Sequence, residues 1–277
     1  MEPDVKQIPR HQKIIELVKK HGYISTDELV TRFHVSPQTI RRDLNELADE
    51  NKIRRYHGGA TVPISSENDS YTTRKSHNYS EKDHIAEALV KHIPNHATLF
   101  IDIGTTPEAV ARALSRSHKQ LRIVTNNLNV ASILLSKPDF NVILAGGEVR
   151  NRDGGIIGEA TLDFIQQFRL DFGILGISGI DFDGSLLDFD YHEVRVKQAI
   201  IENSRSVFLA VDHSKFGRNA MVKLGNISQI NTLFTDKQPP QEIRSILEAN
   251  QVSLEVAGQA SSQQPETVVP DLSSPLT

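Results

Sequence analysis

The chain has 277 residues and a formal net charge of −4, with 31 Lys+Arg against 35 Asp+Glu, and it contains no cysteine. The missing cysteine excludes disulfides, thiolate metal sites and cysteine nucleophiles, and suits a reducing compartment. The length favours two domains, no run approaches the ~20 apolar residues that span a bilayer, and the acidic start Met1-Glu2-Pro3-Asp4 leads into no apolar segment; a soluble cytoplasmic protein without a signal peptide is expected.

Divided near residue 63, the charge is uneven: the first 62 residues hold 11 Lys+Arg against 9 Asp+Glu, the remainder 20 against 26. Such opposite signs suit a nucleic-acid-binding head on an acidic partner domain. Residues 10–21 read as a first helix with Ile14, Leu17 and Val18 on one stripe, stopped by Gly22. Ser25-Thr26-Asp27-Glu28 has the capping-box pattern and opens a second, short helix carrying Leu29, Val30 and Phe33. After the turn at His34-Val35, Ser36 is a natural N-cap and Pro37 suits the first helical position, where its missing N–H costs nothing.

The third helix, to about Glu50, buries Ile40, Leu44 and Leu47, and a step of about 100° per residue turns Gln38, Arg42, Asn45 and Asp49 to the opposite face. Thr39 and Arg41 flank that face. An alternating strand Lys52-Ile53-Arg54-Arg55-Tyr56-His57, the turn Gly58-Gly59 and a partner strand Ala60-Thr61-Val62 complete a winged helix-turn-helix at residues 1–62. Residues 63–79, polar and rich in Ser, Asn and Thr, read as a linker.

Beyond it, residues 80–93 form an amphipathic helix ended by Pro94, and strands then alternate with helices. Strands are expected at 98–103, 121–124, 141–145, 172–177, 206–211 and 232–234, and helices at 107–115, 127–136, 159–168, 191–203 and 240–249. That alternation defines an α/β domain with a mainly parallel sheet over residues 80–257. Residues 258–277, rich in Ser, Gln and Pro, read as a disordered tail.

In the head, Arg41 and Arg42 sit where such a helix meets base edges, Gln38 and Asn45 can pair with adenine, Ser36 and Thr39 reach the backbone, and Lys52, Arg54 and Arg55 serve phosphates from the wing. The plainer alternative is a solvated face in which the arginines pair with Asp43, Glu46 or Asp49. In the second domain, Gly104-Thr105-Thr106, Asn126-Asn127, Gly146-Gly147 and Gly176-Ile177-Ser178-Gly179 stand at successive strand ends, where helix-start amides and small residues let a small anion approach. Lys215 can supply positive charge, the alternative being an ordinary surface lysine. Asp181, His192 and Glu193 are candidate acid/base groups, and Asp181 equally suits a turn held by its own side chain. His92 and His96 have helical spacing, but Pro94 between them breaks it, so neither a metal nor a cofactor is expected.

With these segments assembled, the chain resembles the DeoR family of bacterial repressors from about residue 7 to 255. The resemblance rests on Ser36-Pro37-Gln38-Thr39-Ile40-Arg41-Arg42-Asp43-Leu44, Asp102-Ile103-Gly104-Thr105-Thr106, Val124-Thr125-Asn126-Asn127-Leu128-Asn129 and Arg152-Asp153-Gly154-Gly155-Ile156-Ile157-Gly158. Further matches are Leu175-Gly176-Ile177-Ser178-Gly179-Ile180-Asp181 and Val211-Asp212-His213-Ser214-Lys215-Phe216-Gly217-Arg218. It implies a homo-oligomer, dimer or tetramer, that binds operator DNA and releases it on binding a phosphorylated sugar or polyol, with glycerol 3-phosphate the expected effector.

The family's sensor is similar to ribose-5-phosphate isomerase, which implies that Thr105, Thr106 and Lys215 hold phosphate while Asp181 and Glu193 recognise hydroxyls. Phe182 stands where the isomerases place a Glu, and no lysine lies between Asp181 and Glu193. That departure implies binding without turnover. The readings of another class are a sugar-phosphate isomerase or acyl-CoA transferase, and a protein-binding adaptor.

Overall fold

The computed structural model describes residues 7–56, 58–61 and 70–258. The head contains α1 (Gln7–His21), β1 (Tyr23–Ser25), α2 (Thr26–Phe33), α3 (Pro37–Asp49), β2 (Arg54–Tyr56) and β3 (Gly59–Thr61). Ser25 accepts from the Glu28 amide at the start of α2, and Ser36 accepts from the Thr39 amide with Pro37 behind it, so both expected caps form. Ile14, Val18, Leu29, Ile40, Leu44 and Leu47 close one small core with Ile24, Ile53 and Ala60. Each such side chain contributes roughly 1.5–3 kcal/mol by leaving water.

Two features of the head differ from expectation. β1 joins the wing and makes a three-stranded sheet in the order β1-β3-β2; three residues are too few to show a strand period. Asp43 is buried, where Arg10 chelates it (2.9 Å for one arm) and His11 Nε2 lies 3.1 Å away, so it staples α1 to α3 and is not available to the arginines beside it.

The expected linker is only partly open to description. His57 and residues 62–69 lie outside the described residues, but α4 (Tyr71–Ser76), capped by Ser70, is a helix lying against the second domain. Polar composition hid it, because a short helix fixed by tertiary contacts needs no apolar stripe. The expected disordered tail also falls outside the described residues, apart from Gly258.

The second domain follows with α5 (Tyr79–Leu89), β4 (Thr98–Ile101), α6 (Thr105–Ser117), β5 (Arg122–Thr125), α7 (Leu128–Leu134), β6 (Asn141–Leu144), β7 (Glu148–Arg150), β8 (Gly155–Ile157), α8 (Glu159–Ile165) and β9 (Leu170–Leu175). It ends with β10 (Gly179–Ile180), β11 (Ser185–Asp188), α9 (Tyr191–Glu202), β12 (Ser204–Ala210), β13 (Val222–Asn226), β14 (Thr232–Thr235), α10 (Gln241–Ala249) and β15 (Ser253–Val256). Every pairing in the seven-stranded sheet, ordered β15-β14-β12-β9-β4-β5-β6, is parallel. Alternate residues of the inner strands enter two cores: Leu99, Ile101, Ile123 and Ile174 pack under α5, α6 and α7, and Phe100, Val124, Leu175 and Leu209 pack toward α8, α9 and α10. A sheet covered on both faces reads as the short apolar runs seen in the sequence. A small antiparallel sheet, β10-β11-β13, and the hairpin β7-β8 were not anticipated.

The strand order positions the site. The chain starts at β4 in the middle, builds outward through β5 and β6, then returns to β9 on the other side of β4. Helices leaving these strands diverge there and open a crevice at the strands' carboxyl ends. Among the described residues no helix is long and apolar enough to cross a membrane.

Candidate functional site

On the head, Ser36, Gln38, Arg41, Arg42 and Asn45 are exposed along one face of α3, with Thr39 half-buried beside them. Ser36 and Thr39 are partly spent on the cap, their hydroxyls 2.8 Å apart. Arg42 pairs with Glu46 at 2.9 Å, the plainer arrangement, yet an exposed i,i+4 pair is worth only a few tenths of a kcal/mol and exchanges readily for a base edge or phosphate. Arg55 reaches back from β2 to donate to the Asn45 side-chain oxygen Oδ1 (2.6 Å) and the Arg41 backbone carbonyl (3.1 Å), locking wing to helix. Lys52 pairs with Glu50 at 2.7 Å, and Arg54 lies on β2 in register with Thr61. The face is cationic and amide-bearing, as duplex recognition requires.

The crevice between β4 and β9 contains a pocket lined by Ile103, Gly104, Thr105, Thr106, Gly176, Ser178, Glu193, Lys197, Lys215 and Arg74, among others. Gly104 is the N-cap of α6 at φ 142°, a backbone state closed to L side chains, and it has no side chain to occupy the first helical amides. Thr105 and Thr106 follow, both buried and both lining the pocket, beside the orphan amides and the positive end of a 13-residue helix.

Lys215 completes that wall from a single turn, His213–Lys215, capped by Asp212. Burial first, and then Arg218 with Lys82 and Arg74, push its ammonium down to about 7 against the pull of Asp212. Asp212 is held well below the carboxylate range, because Lys215, the Ser214 hydroxyl, Lys82 and Asn78 outweigh its desolvation.

The pocket floor is a buried charge cluster. Lys197 Nζ lies 2.6 Å from Asp188, 2.8 Å from Glu193 and 3.6 Å from Asp102. Burial alone would lower the ammonium, but the three carboxylates hold it above its ordinary range. Asp102 is fully buried, neither of its side-chain oxygens has a hydrogen-bond partner of good geometry among the described residues, and desolvation raises it to about 7 despite Lys197 and the nearby Ile103 amide. Arg150 joins Glu193 (2.7 Å), Asp153 (2.8 Å) and Asp190 (3.0 Å). A lysine clamped as ammonium is a poor proton acceptor, so Lys197 is unsuited to act as a general base.

Of the sequence-derived candidates, Gly104, Thr105, Thr106, Gly176, Ile177, Ser178, Glu193 and Lys215 meet in this pocket. Asn126, Asn127, Gly146 and Gly147 do not line it. Asn126 donates to the Ile156 carbonyl (3.2 Å), Asn127 caps α7 through the Asn129 amide (2.9 Å), and the Gly146 carbonyl accepts from Thr161 (2.8 Å), with Gly147 packed on the same threonine. Asp181 lies in a turn, its carboxylate accepting from the Phe182 amide at 2.8 Å and its carbonyl from the Gly184 amide at 2.9 Å. Sequence reasoning missed Lys197, whose i,i+4 spacing from Glu193 was the available signal. It also missed Arg74, for which no local signal exists.

The head rests beside the pocket. Gly22 at φ 74° abuts Ser214, where a Cβ would stand 2.2 Å from the Ser214 carbonyl oxygen. The Thr61 hydroxyl lies 2.8 Å from the Gly22 carbonyl and 2.6 Å from that of Gly217, its one proton serving either. Phe182 stacks on Tyr56 (centroids 3.8 Å apart) and meets the edge of Tyr23 (5.1 Å), contacts worth roughly 0.5–1.5 kcal/mol each beyond their burial.

The head matches the DeoR-like helix-turn-helix domain over residues 10–66, and the second domain matches the DeoR C terminal sensor domain over residues 77–237. The chain belongs to the DeoR family. It is 65% identical over 252 residues to the glycerol-3-phosphate regulon repressor of Escherichia coli (strain K12), covering 91% of this chain and all of that protein. It is 61% identical over 235 residues to the glycerol-3-phosphate regulon repressor of Haemophilus influenzae, covering 85% and 91%. Both relatives are repressors. Among solved structures, ribose 5-phosphate isomerase A from Methanocaldococcus jannaschii is similar at TM-score 0.37 and 13% identity, over 50% of this chain and 55% of that one.

Proposed function

We propose that this chain is a sequence-specific transcriptional repressor of glycerol and glycerol-3-phosphate metabolism genes, released from its operator by a phosphorylated effector, glycerol 3-phosphate. Residues 1–62 are the DNA-binding head and residues 80–257 the sensor, and two or more copies present their heads to operator half-sites. α3 enters the major groove and the wing lies on the backbone. The effector's phosphate sits on Gly104, Thr105, Thr106 and Lys215, with Glu193 facing its hydroxyls.

One observation carries the reading: residues 212–218 wall the pocket on one side and touch the head on the other. Lys215 lines the pocket, while Ser214 abuts Gly22, Gly217 accepts from Thr61, and the His213 ring lies 5.6 Å from that of His21. A ligand that moves Lys215 therefore moves the head's seat. A coupling of roughly 1–3 kcal/mol would loosen DNA about 5–150-fold.

Two substitutions test the two ends. Arg42→Ala should weaken operator binding by about 1–3 kcal/mol in a gel shift, with relaxed preference at one base position; unchanged affinity removes Arg42 from the reading face. Thr105→Val keeps the shape but removes a hydroxyl, and this variant should stay on operator DNA at glycerol 3-phosphate concentrations that release the wild type. Normal release would place the phosphate elsewhere.

A further inference from the structure

Building on the effector pocket proposed above, we infer that Arg74, carried by the helix that joins head to sensor, is a direct phosphate ligand, so that the connecting chain itself grips the effector.

The helix α4 is fastened along the pocket rim. The Tyr71 hydroxyl donates to Glu108 on the first turn of α6 (2.8 Å), Asn78 donates to Asp212 (2.9 Å), and the buried Lys82 ammonium closes the far end by donating to the His77 carbonyl (2.6 Å). These contacts aim Arg74, whose side chain is 16% exposed, into the pocket that Gly104, Thr105, Thr106 and Lys215 also line. Its ion pair with Asp153, at 3.3 Å, is a shared one, because Arg150 already chelates both oxygens of that carboxylate at 2.8 Å. A ligand oxygen can therefore engage the guanidinium without stranding Asp153.

Charge points the same way. Arg74, Lys82 and Arg218 all depress the Lys215 ammonium, and Asp212 is the carboxylate that opposes them. Such a concentration of cations is relieved by a dianion and not by a neutral polyol. The planar guanidinium fork, paired with helix-start amides and a lysine, matches the several oxygens of a phosphomonoester.

The test is titration calorimetry on the full chain with glycerol 3-phosphate, inorganic phosphate and glycerol, using wild type, Arg74→Gln, Arg74→Lys and Thr105→Val. Circular dichroism checks folding. Arg74→Gln should weaken glycerol 3-phosphate and inorganic phosphate in parallel by about 10–100-fold, the effect of losing one charge-assisted contact, and Arg74→Lys should recover part of it. Glycerol should not bind. In the wild type, glycerol 3-phosphate should slow amide exchange across residues 71–79. If Arg74→Gln binds like wild type while Thr105→Val fails, the inference falls and the pocket stands. If both variants bind like wild type, the pocket assignment falls and takes the inference with it. Should Arg74→Gln not fold, the exchange measurement decides, and unchanged exchange at saturation overturns the proposal.

Discussion

Lys215→Met is expected to abolish high-affinity effector binding and, with it, the proton uptake that binding entails at pH 8. Both results follow from one buried ammonium. Lys215 titrates at about 7 in the folded chain, far below its ordinary value, because burial and Arg218 disfavour its charge. Between pH 7 and the unfolded value near 10.4 the unfolded chain holds the extra proton, so this group's contribution to stability rises with pH through that window. Below pH 7 its desolvation cost is fully present, offset in part because the ammonium keeps the buried Asp212 ionised.

A bound phosphate dianion reverses the balance and returns Lys215 to its charged form. Effector binding above pH 7 therefore takes up a proton, and affinity falls by up to about tenfold per pH unit until the liganded lysine itself titrates. Calorimetry at pH 8 in buffers of different ionisation enthalpy should show uptake approaching one proton per ligand, absent in Lys215→Met. No uptake in the wild type would remove Lys215 from the phosphate.

Lys197→Met should have the largest effect on folding. Removing the cation leaves Asp102, Asp188 and Glu193 buried around an apolar side chain, with Arg150 still holding only Glu193 among them. Breaking a buried ion network in this way costs about 3–5 kcal/mol, or on the order of 10 °C in the melting temperature of a domain this size. The loss depends on pH in a defined direction. Asp102, raised to about 7, gives stability that is fully present below its unfolded value and is lost as pH rises through 7. Without Lys197 it rises further, so the gap from wild type should be widest at pH 8 and narrow toward pH 5.5. Thermal melts at the two pH values measure this; an equal gap at both would mean that Asp102 does not titrate with the cluster.

The head was legible almost residue by residue, because its rules are local. Ser25 and Ser36 cap helices through amides two or three residues away, Pro37 belongs to the first turn, and Ile40, Leu44 and Leu47 recur at helical spacing. The sheet was legible for a similar reason: six of its seven parallel strands carry apolar runs, and all of these except the exposed edge strand β6 bury them in the core. The exception, β15 (Ser253–Val256), is an edge strand with no fully buried residue, and it carried no such run.

The candidate site was legible only in part. Glycine and threonine at the end of β4 announce a helix start open to an anion, and that much is chemistry between sequence neighbours. Which strand ends share the crevice depends on the order in which the strands pair, and single-chain patterning does not encode that order. Hence Asn126, Asn127, Gly146 and Gly147 were grouped with Thr105 although they serve neighbouring turns, and Asp181 was grouped with Glu193 although its loop carries Phe182 to the head.

By itself, the sequence determined the winged head, the cationic face of α3 and the glycine–threonine loop, since each depends on contacts within a few residues. Tertiary structure alone decided that Lys197 sits among three carboxylates, that Arg74 lines the pocket, and that residues 212–218 touch both the pocket and the head. Those facts join residues tens to more than a hundred positions apart, and only the packing of strands around the reversal between β4 and β9 brings them together.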